Sequence, residues 1–544
     1  MLLSKGIEEN LRFLLVEVGG QLDHLADFLR QQQPHAAQQV VQRAGYAQNL
    51  KQRIQRACLQ QLSYAQEHEA DALQLSAMED IAGELDRITA LCRDCIGQFA
   101  ELEATDALEL SRHAKQLRVI AKGLALLGAS PQAKDTRLAL RLAEVDSKIK
   151  RRCRKLRRSY SDQLKACGKT AQLIAGLFIT HDIEQMGDCL RGISEAILSS
   201  ALGQPMSLDR FNNLQASVAR LDTARPLDDL QLQPLADSRS GGAISAISAG
   251  GDEGYLAIYK DGERRKLKEE RQGVESWHEI YPGVAPRIID YHKRGKSAAL
   301  LIEHLAGMTI ERILLQESDA LLAEAMEQLS KTLLSVWRET LSPQPAEAHF
   351  IHQMGQRMGQ VYGVHPGFVQ GESRICGLPQ PSLDRLLKQA ADYEAGLKAP
   401  FSVYIHGDFN IDNIIYDPDR RQIRFIDLHR SCYMDYVQDV SVFMVSNYRL
   451  QILDAPLRRR IMATALDLYR TAAGFAAQQG DLGFELRLAL GLARSFVTST
   501  RFVLDEALAS SMFLRGRYLI EQVLRVDPHR AQGYRIPLQE IFVA

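Results

Sequence analysis

Two sets of six apolar residues constrain what this chain can fold into more than any other feature of its 544 residues. Ile81, Leu85, Ile88, Cys92, Cys95 and Phe99 form one set, and Ile179, Ile183, Met186, Leu190, Ile193 and Ile197 the other. Each member of the second lies 98 residues after its counterpart, and both follow a 4-3-4-3-4 stagger. That stagger puts one apolar stripe on a helix. Its return at a fixed period marks two copies of one helical unit. Ile7, Leu11, Leu14, Val18, Leu22, Leu25 and Leu29 form a further stripe of the same kind, and only Pro34, Pro131 and Pro205 interrupt this half. Long helices without strand alternation predict a helical bundle over residues 1–218.

The repeat also assigns the Cys92-Arg-Asp-Cys95 pair, whose spacing suits a metal or a redox couple. Leu190 and Ile193 stand at the equivalent positions, so both cysteines are expected in the core, where thiols act as small hydrophobes. Glu84 and Asp86 flank the first copy, Asp182 and Glu184 flank the second at the same offset, and Asp188 follows. The segments "GELDRITALC" and "HDIEQMGDCL" resemble the hallmark helices of the PhoU family, phosphate-signalling proteins built from two three-helix repeats. In that family such acidic clusters can hold metal ions. Here Ala90 stands where the second copy has Asp188, so a solvated acidic edge is the expectation. "KIKRRCRKLRR", residues 148–158, carries eight basic residues in eleven and no acid. It reads either as a solvated helix face or as a contact for a protein or other anionic partner. Association of two copies through the helical domain is a further expectation.

A net charge of −1 excludes a whole-protein footprint for nucleic acid or membrane, though not a local patch. The N-terminus gains acids too early for a secretory signal. The longest apolar run, LIAGLFI at 173–179, is far short of the roughly 20 residues that cross a bilayer. The chain therefore reads as cytoplasmic.

Near residue 225 the character changes: residues 219–234 form a linker with two prolines, and Gly-rich, strand-like segments follow. Ala243–Ala249 and Tyr255–Lys260 read as strands, with Ser238–Gly242 before them as a loop whose amides, at Gly241 and Gly242, could approach phosphate oxygens. Lys260 ends an apolar strand, within reach of such phosphates. A polar helix over 263–280 carries Glu269, Glu270 and Glu275; two more strands, a break at Gly307 and a mostly helical remainder follow. This order predicts an α+β, protein-kinase-like bilobal domain over 235–544, split near 305, behind the all-α bundle.

The stretch "VYIHGDFNIDNIIYDPDRRQIRFIDLHRS", residues 403–431, fits that order. An ordinary hairpin accounts for Asp417 and Asp419 as turn residues but leaves His406, Asp408, Asn413 and Asp427 unexplained as a set. Phosphoryl transfer needs one carboxylate to orient the acceptor hydroxyl, an Asn and an Asp for magnesium, and a lysine on the phosphates. The five-residue step from Asp408 to Asn413 is the spacing of kinase catalytic loops. "IHGDFNIDN" and "FIDL" resemble the aminoglycoside phosphotransferase and choline kinase family. The resemblance implies ATP and magnesium as cofactors, Asp408 as catalytic base, His406 as keeper of the loop's shape, and Asn413 and Asp427 as metal ligands. It further implies Lys260 on the α- and β-phosphates with Glu270 as its partner (Glu269 and Glu275 as rivals), and adenine along Glu303–Leu305. "MDYVQDVSVF" resembles the family's next motif, with Asp439 as buried structural acid and Asp435 in the first acidic slot.

The acceptor side is less defined. Arg494, Thr498 and Arg501 share a helical face, read here as a solvated stripe; lining a cleft, they would suit an acceptor with hydroxyls or an anionic group. The expected activity is transfer of the γ-phosphate of ATP to a hydroxyl of a small molecule. A protein kinase, or a nucleotide-sensing regulator of phosphate signalling or transport, is the alternative.

Overall fold

The computed structural model describes all residues except 1–3, 65–68, 101, 130–134, 166–168, 222–230, 238–242, 249–254, 296, 453, 528–531 and 544. The chain divides into two compact units, Met1–Asp261 and Gly262–Ala544.

The first unit opens with eight helices: α1 Lys5–Gln31, α2 Pro34–Gln42, α3 Tyr46–Tyr64, α4 Glu69–Gly97, α5 Leu110–Ala125, α6 Thr136–Leu164, α7 Thr170–Leu202 and α8 Leu208–Val218. The repeated stripes lie on α4 and α7, and eleven of their twelve members are buried; each large one contributes roughly 1.5–3 kcal/mol. Phe99 falls just past the end of α4, partly buried against the edge of Phe28 at a centroid distance of 5.0 Å. Arg87 donates to Gln185 Oε1 at 2.7 Å, and these two residues occupy the same place in the two copies, 98 apart. Cys95 meets Asp182 and Glu84 lies against Gly192, so the partners run in opposite directions along two antiparallel helices. Cys92 and Cys95 are fully buried, and burial pushes the Cys92 thiol up to about 12, as expected of core residues.

The acidic flank departs from the expected solvated edge. Asp86 pairs with Lys51, Glu184 with Arg157 at 2.6 Å, and Asp188 with Lys150 at 2.6 Å, which also holds Asp146 at 3.0 Å. Lys150 and Arg157 belong to the basic run. Thus α6 turns two of its cations onto the acids of α7 and leaves Lys148, Arg151, Arg152, Arg154, Lys155 and Arg158 exposed. Among the described residues, no group of three or more His, Cys, Asp or Glu is arranged to hold a metal.

Three antiparallel strands complete this unit: β1 Gln231–Asp237, β2 Ala243–Ser248 and β3 Tyr255–Glu263. β1 begins inside the stretch expected to be linker. Ser245 on β2 donates to Gln204 at 2.7 Å, and Arg210 of α8 meets Asp261 at 3.0 Å, which ties the strands to the helices.

The second unit starts with α9 Arg264–Ile280, the antiparallel pair β4 Ile288–Arg294 and β5 Ser297–Glu303, and the short β6 Met308–Thr309. It continues through α10 Ile310–Gln316, α11 Asp319–Glu339, α12 Phe350–Val364, β7 Ser373–Ile375, β8 Leu378–Gln380 and α13 Leu383–Glu394. Then come β9 Val403–Ile405, β10 Ile414–Asp417, β11 Gln422–Phe425, β12 Cys432–Met434, α14 Val437–Tyr448, α15 Ala455–Gln478, α16 Phe484–Ser499, α17 Glu506–Leu524 and α18 Leu538–Ile541. One core, built on Trp277, Trp337, Phe409, Phe425, Tyr436 and Phe475, runs through it. No helix among the described residues is long and apolar enough to cross a membrane.

Candidate active site

β9 is a buried three-residue strand, Val-Tyr-Ile, that pairs antiparallel with β12 and delivers the chain to His406. The turn that follows is strapped from below by Asp439 in the first turn of α14. Its carboxylate accepts the amides of His406 at 2.7 Å and Gly407 at 2.8 Å. Burial raises this carboxyl to about 7, against the two amides that favour its charged form. Gly407 sits at φ +83°, and a Cβ there would lie 2.3 Å from the Arg430 carbonyl. Only glycine fits both the torsion and the approach.

His406 is fully enclosed, and desolvation lowers its pKa. Nε2–H donates to the Ile426 carbonyl at 2.9 Å, and Nδ1 accepts the Asp408 amide at 3.3 Å. The ring is thus a neutral brace between the loop and the end of β11. Asp408 follows at the surface of the loop, its Oδ1 accepting from Asn410 at 3.0 Å and its Oδ2 facing Arg430 at 3.2 Å. Asn413 donates to the Asp408 carbonyl at 3.0 Å, and its own carbonyl accepts the Ile426 amide at 3.0 Å. The Asp-to-Asn spacing therefore closes one hydrogen-bonded loop, and that loop is pinned to the hairpin β10–β11 ending beside Asp427. As expected of turn residues, Asp417 accepts the amides of Asp419 and Arg420.

Asp427 has φ +62°, a conformation that costs a non-glycine residue about 1–2 kcal/mol. His429 Nδ1–H holds its Oδ1 at 3.0 Å, while Arg430 Nε donates to His429 Nε2 at 3.1 Å. Asn413 uses its amide nitrogen within the loop, and its Oδ1 has no donor among the described residues. A half-exposed carboxylate and a free carboxamide oxygen are hard oxygen ligands. They fit a magnesium ion that takes its remaining ligands from water and substrate phosphates.

The other expected residues are placed as follows. Lys260 is buried in β3, opposite Ile244 of β2, in the first unit; Glu270 is buried in α9, in the second. The rivals of Glu270 are engaged at the surface, Glu269 with Arg265 and Glu275 with Arg271. Glu303 ends β5 with its carboxylate between Arg287 at 2.6 Å and Arg424 at 2.9 Å, and Leu305 is almost fully buried beyond it. Gly241 and Gly242 lie outside the described residues.

Some parts of the site carry no local signal in the sequence. A Cβ on Gly273 of α9 would lie 2.0 Å from the Leu428 carbonyl, so this helix rests directly on the loop after Asp427. Trp277, one turn on, donates to Ser431 at 2.8 Å, and Ser431 donates to the His406 carbonyl at 3.2 Å. The expected solvated stripe is also overturned at Arg494 and Thr498, whereas Arg501 falls in the turn after α16 and is half-buried. Arg494 is 4 % exposed and Thr498 3 %, because α16 is buried all round in the helical lobe. Arg487 shows how this lobe neutralises a buried cation, binding Asp435 at 2.7 Å and Asp481 at 2.6 and 2.9 Å.

A carboxylate and a carboxamide in one braced loop, with a second carboxylate closing the next hairpin, are the arrangement of a phosphoryl-transfer protein. Residues 276–475 match the phosphotransferase enzyme family (APH), so this part of the chain is a domain of that family. Among solved structures, the N-terminal region is similar to PhoU from Pseudomonas aeruginosa, at 18% identity and a TM-score of 0.32, over 36% of this chain and 97% of that one. The C-terminal part is similar to aminoglycoside-3'-phosphotransferase of type VIII, at 16% identity and 0.31, over 57% and 99%. It is also similar to an ethanolamine kinase from Plasmodium vivax, at 12% identity and 0.33, over 60% and 91%. No curated protein sequence gives a significant match.

Proposed function

We propose that the chain is an ATP-dependent kinase that transfers the γ-phosphoryl group to a hydroxyl of a small molecule. One observation carries this reading: Asp408 and Asn413 belong to a single loop, held by the neutral His406 and by Asp439, and pinned to the hairpin that ends at Asp427.

In this reading Asp408 accepts the hydrogen bond of the acceptor hydroxyl and orients its oxygen toward the γ-phosphorus. The new P–O bond forms as the bond to the β,γ-bridging oxygen breaks. ADP leaves, and the acceptor's proton passes to Asp408 and then to solvent. His406 keeps Asp408 in place by accepting its backbone amide. Asn413 and Asp427 would hold magnesium, which when bound offsets charge on the phosphates. Lys260 serves the α- and β-phosphates. Glu270 keeps the role that the resemblance implies; Glu269 and Glu275 are spent in surface pairs. The kinase domain in this reading starts near residue 235, and adenine lies along Glu303–Leu305. The helical domain regulates the kinase or recruits a partner, with the six exposed cations of α6 as its contact for an anionic partner. A second copy would cover exposed Phe13 and Val16 of α1. The activity belongs in the cytoplasm, where ATP is supplied.

The test is transfer of γ-labelled phosphate from ATP and magnesium into a desalted cell extract supplemented with a metabolite pool. Label entering a small molecule with wild type but not with Asp408→Asn supports the proposal. Binding of ATP by both proteins without transfer by either sinks it and leaves a nucleotide-sensing module.

A further inference from the structure

Three arginines from three separate elements act electrostatically on the one carboxylate proposed to meet the acceptor, one of them in direct contact with it. Arg430, half exposed in the loop after Asp427, faces Asp408 at 3.2 Å. Arg494 of α16 donates to Gln438 at 2.7 Å, and Gln438 in turn reaches the Gly407 carbonyl at 3.4 Å. The Arg494 guanidinium also lies 5.6 Å from the ring of Phe350, the first residue of α12, and its buried Nε has no hydrogen-bond partner among the described residues. Two turns along α12 stands Arg357, half-buried, which enters no hydrogen bond or ion pair with a described residue.

The charges do not balance. Arg487, equally buried in the same lobe, has two carboxylates of its own. Arg357, Arg430 and Arg494 share Asp408, and the other acid that feels Arg494, Asp439, already accepts two backbone amides. The mutual repulsion is felt: burial, then Arg357, Arg430 and Arg501, bring Arg494 down to about 9, with Asp408 opposing. Arg357 is lowered by burial and Arg430. Holding uncompensated like charges in a partly buried place is costly unless a ligand brings the counter-charge. Guanidinium forks match carboxylate and phosphate oxygens in geometry as well as sign.

We infer that the acceptor carries an oxyanion, a phosphomonoester or a carboxylate, close to the hydroxyl that is phosphorylated, and that Arg357 and Arg430 bind it while buried Arg494 supplies charge from behind. This rests on the reading of Asp408 as the residue that orients the acceptor. It also argues against polycationic acceptors, whose amines would meet three guanidinium groups.

The experiment splits the metabolite pool on an anion exchanger before the reaction and offers each fraction, with γ-labelled ATP, to the full chain. Acceptor activity is expected in the salt eluate. Arg357→Ala should raise the KM for that fraction about tenfold or more, as loss of a charge-assisted contact implies, with kcat little changed. Arg357→Lys should recover part of the loss. Acceptor activity in the flow-through, or an unchanged KM in Arg357→Ala, overturns the inference. If neither fraction accepts label, the phosphotransfer reading itself is at fault. The subsite is then decided by equilibrium dialysis with radiolabelled glycerol phosphate. Wild-type binding weakened tenfold in Arg357→Ala upholds the subsite, and equal or absent binding removes it.

Discussion

At the scale of single residues, the loop from His406 to Asn413 depends on what cannot be substituted. Gly407→Ala forces a left-handed Cβ against the Arg430 carbonyl, so the loop must move even where the lobe stays folded. Displacement of the order of 1 Å at a reacting group costs about a hundredfold in rate. We therefore expect phosphate transfer by Gly407→Ala to fall about 100-fold or more, with Tm lowered by only a few degrees; near wild-type kcat would show that the loop tolerates the clash. The residues legible in the sequence here are those with contiguous spacing, His406, Asp408, Asn413 and Asp427, because one loop and one hairpin hold them all. Gly273 was not legible, since what forbids a side chain there is the carbonyl of Leu428. Nor was the convergence of Arg357, Arg430 and Arg494, which come from three elements and share no periodicity.

At the scale of elements, α6 divides one basic run between two tasks. Lys150 bridges Asp146 and Asp188, whereas Lys155, five residues on, is exposed and enters no ion pair with a described residue. Removing the partner of a partly buried acid pair costs more than removing a solvated cation. Lys150→Ala should destabilise the helical unit by about 1–2 kcal/mol in urea, and Lys155→Ala by less than about 0.5. Equal effects would mean the crossing of α6 and α7 is not held by charge. The helical periodicity announced both helices but not this pairing, because a run of like charge reads as solvated until its partner helix is known. The stripe on α16 misled for the related reason that a helix enclosed on every side hides its polar residues too.

His113 on α5 makes a second prediction at this scale. Its Nε2–H donates to Thr180, whose hydroxyl hydrogen is already given to Gly176, and burial lowers the ring's pKa to about 4. An unfolded chain takes up this proton below about 6.5 and the folded one does not, so folding loses stability as pH falls from 6.5 toward 4. His113→Gln should flatten that slope in urea melts followed by circular dichroism. An unchanged slope would place the titration elsewhere.

At the scale of the whole molecule, a net charge of −1 conceals how unevenly charge is distributed. Six exposed cations crowd one helix. Replacing Arg151, Arg152, Arg154 and Lys155 together by Glu should lower the salt needed to elute the protein from heparin, with Tm unchanged within about 2 °C, as surface charge implies. Unaltered elution would remove α6 as an anion-binding face. The two units also differ in what they report. Both tryptophans, Trp277 and Trp337, lie in the second unit, and the indole of Trp277 is tied through Ser431 to the carbonyl of His406. The chain thus has an intrinsic optical gauge wired to the turn at His406. A change in indole emission on adding nucleotide would follow the set of that turn directly, silent to anything the helical half does on its own.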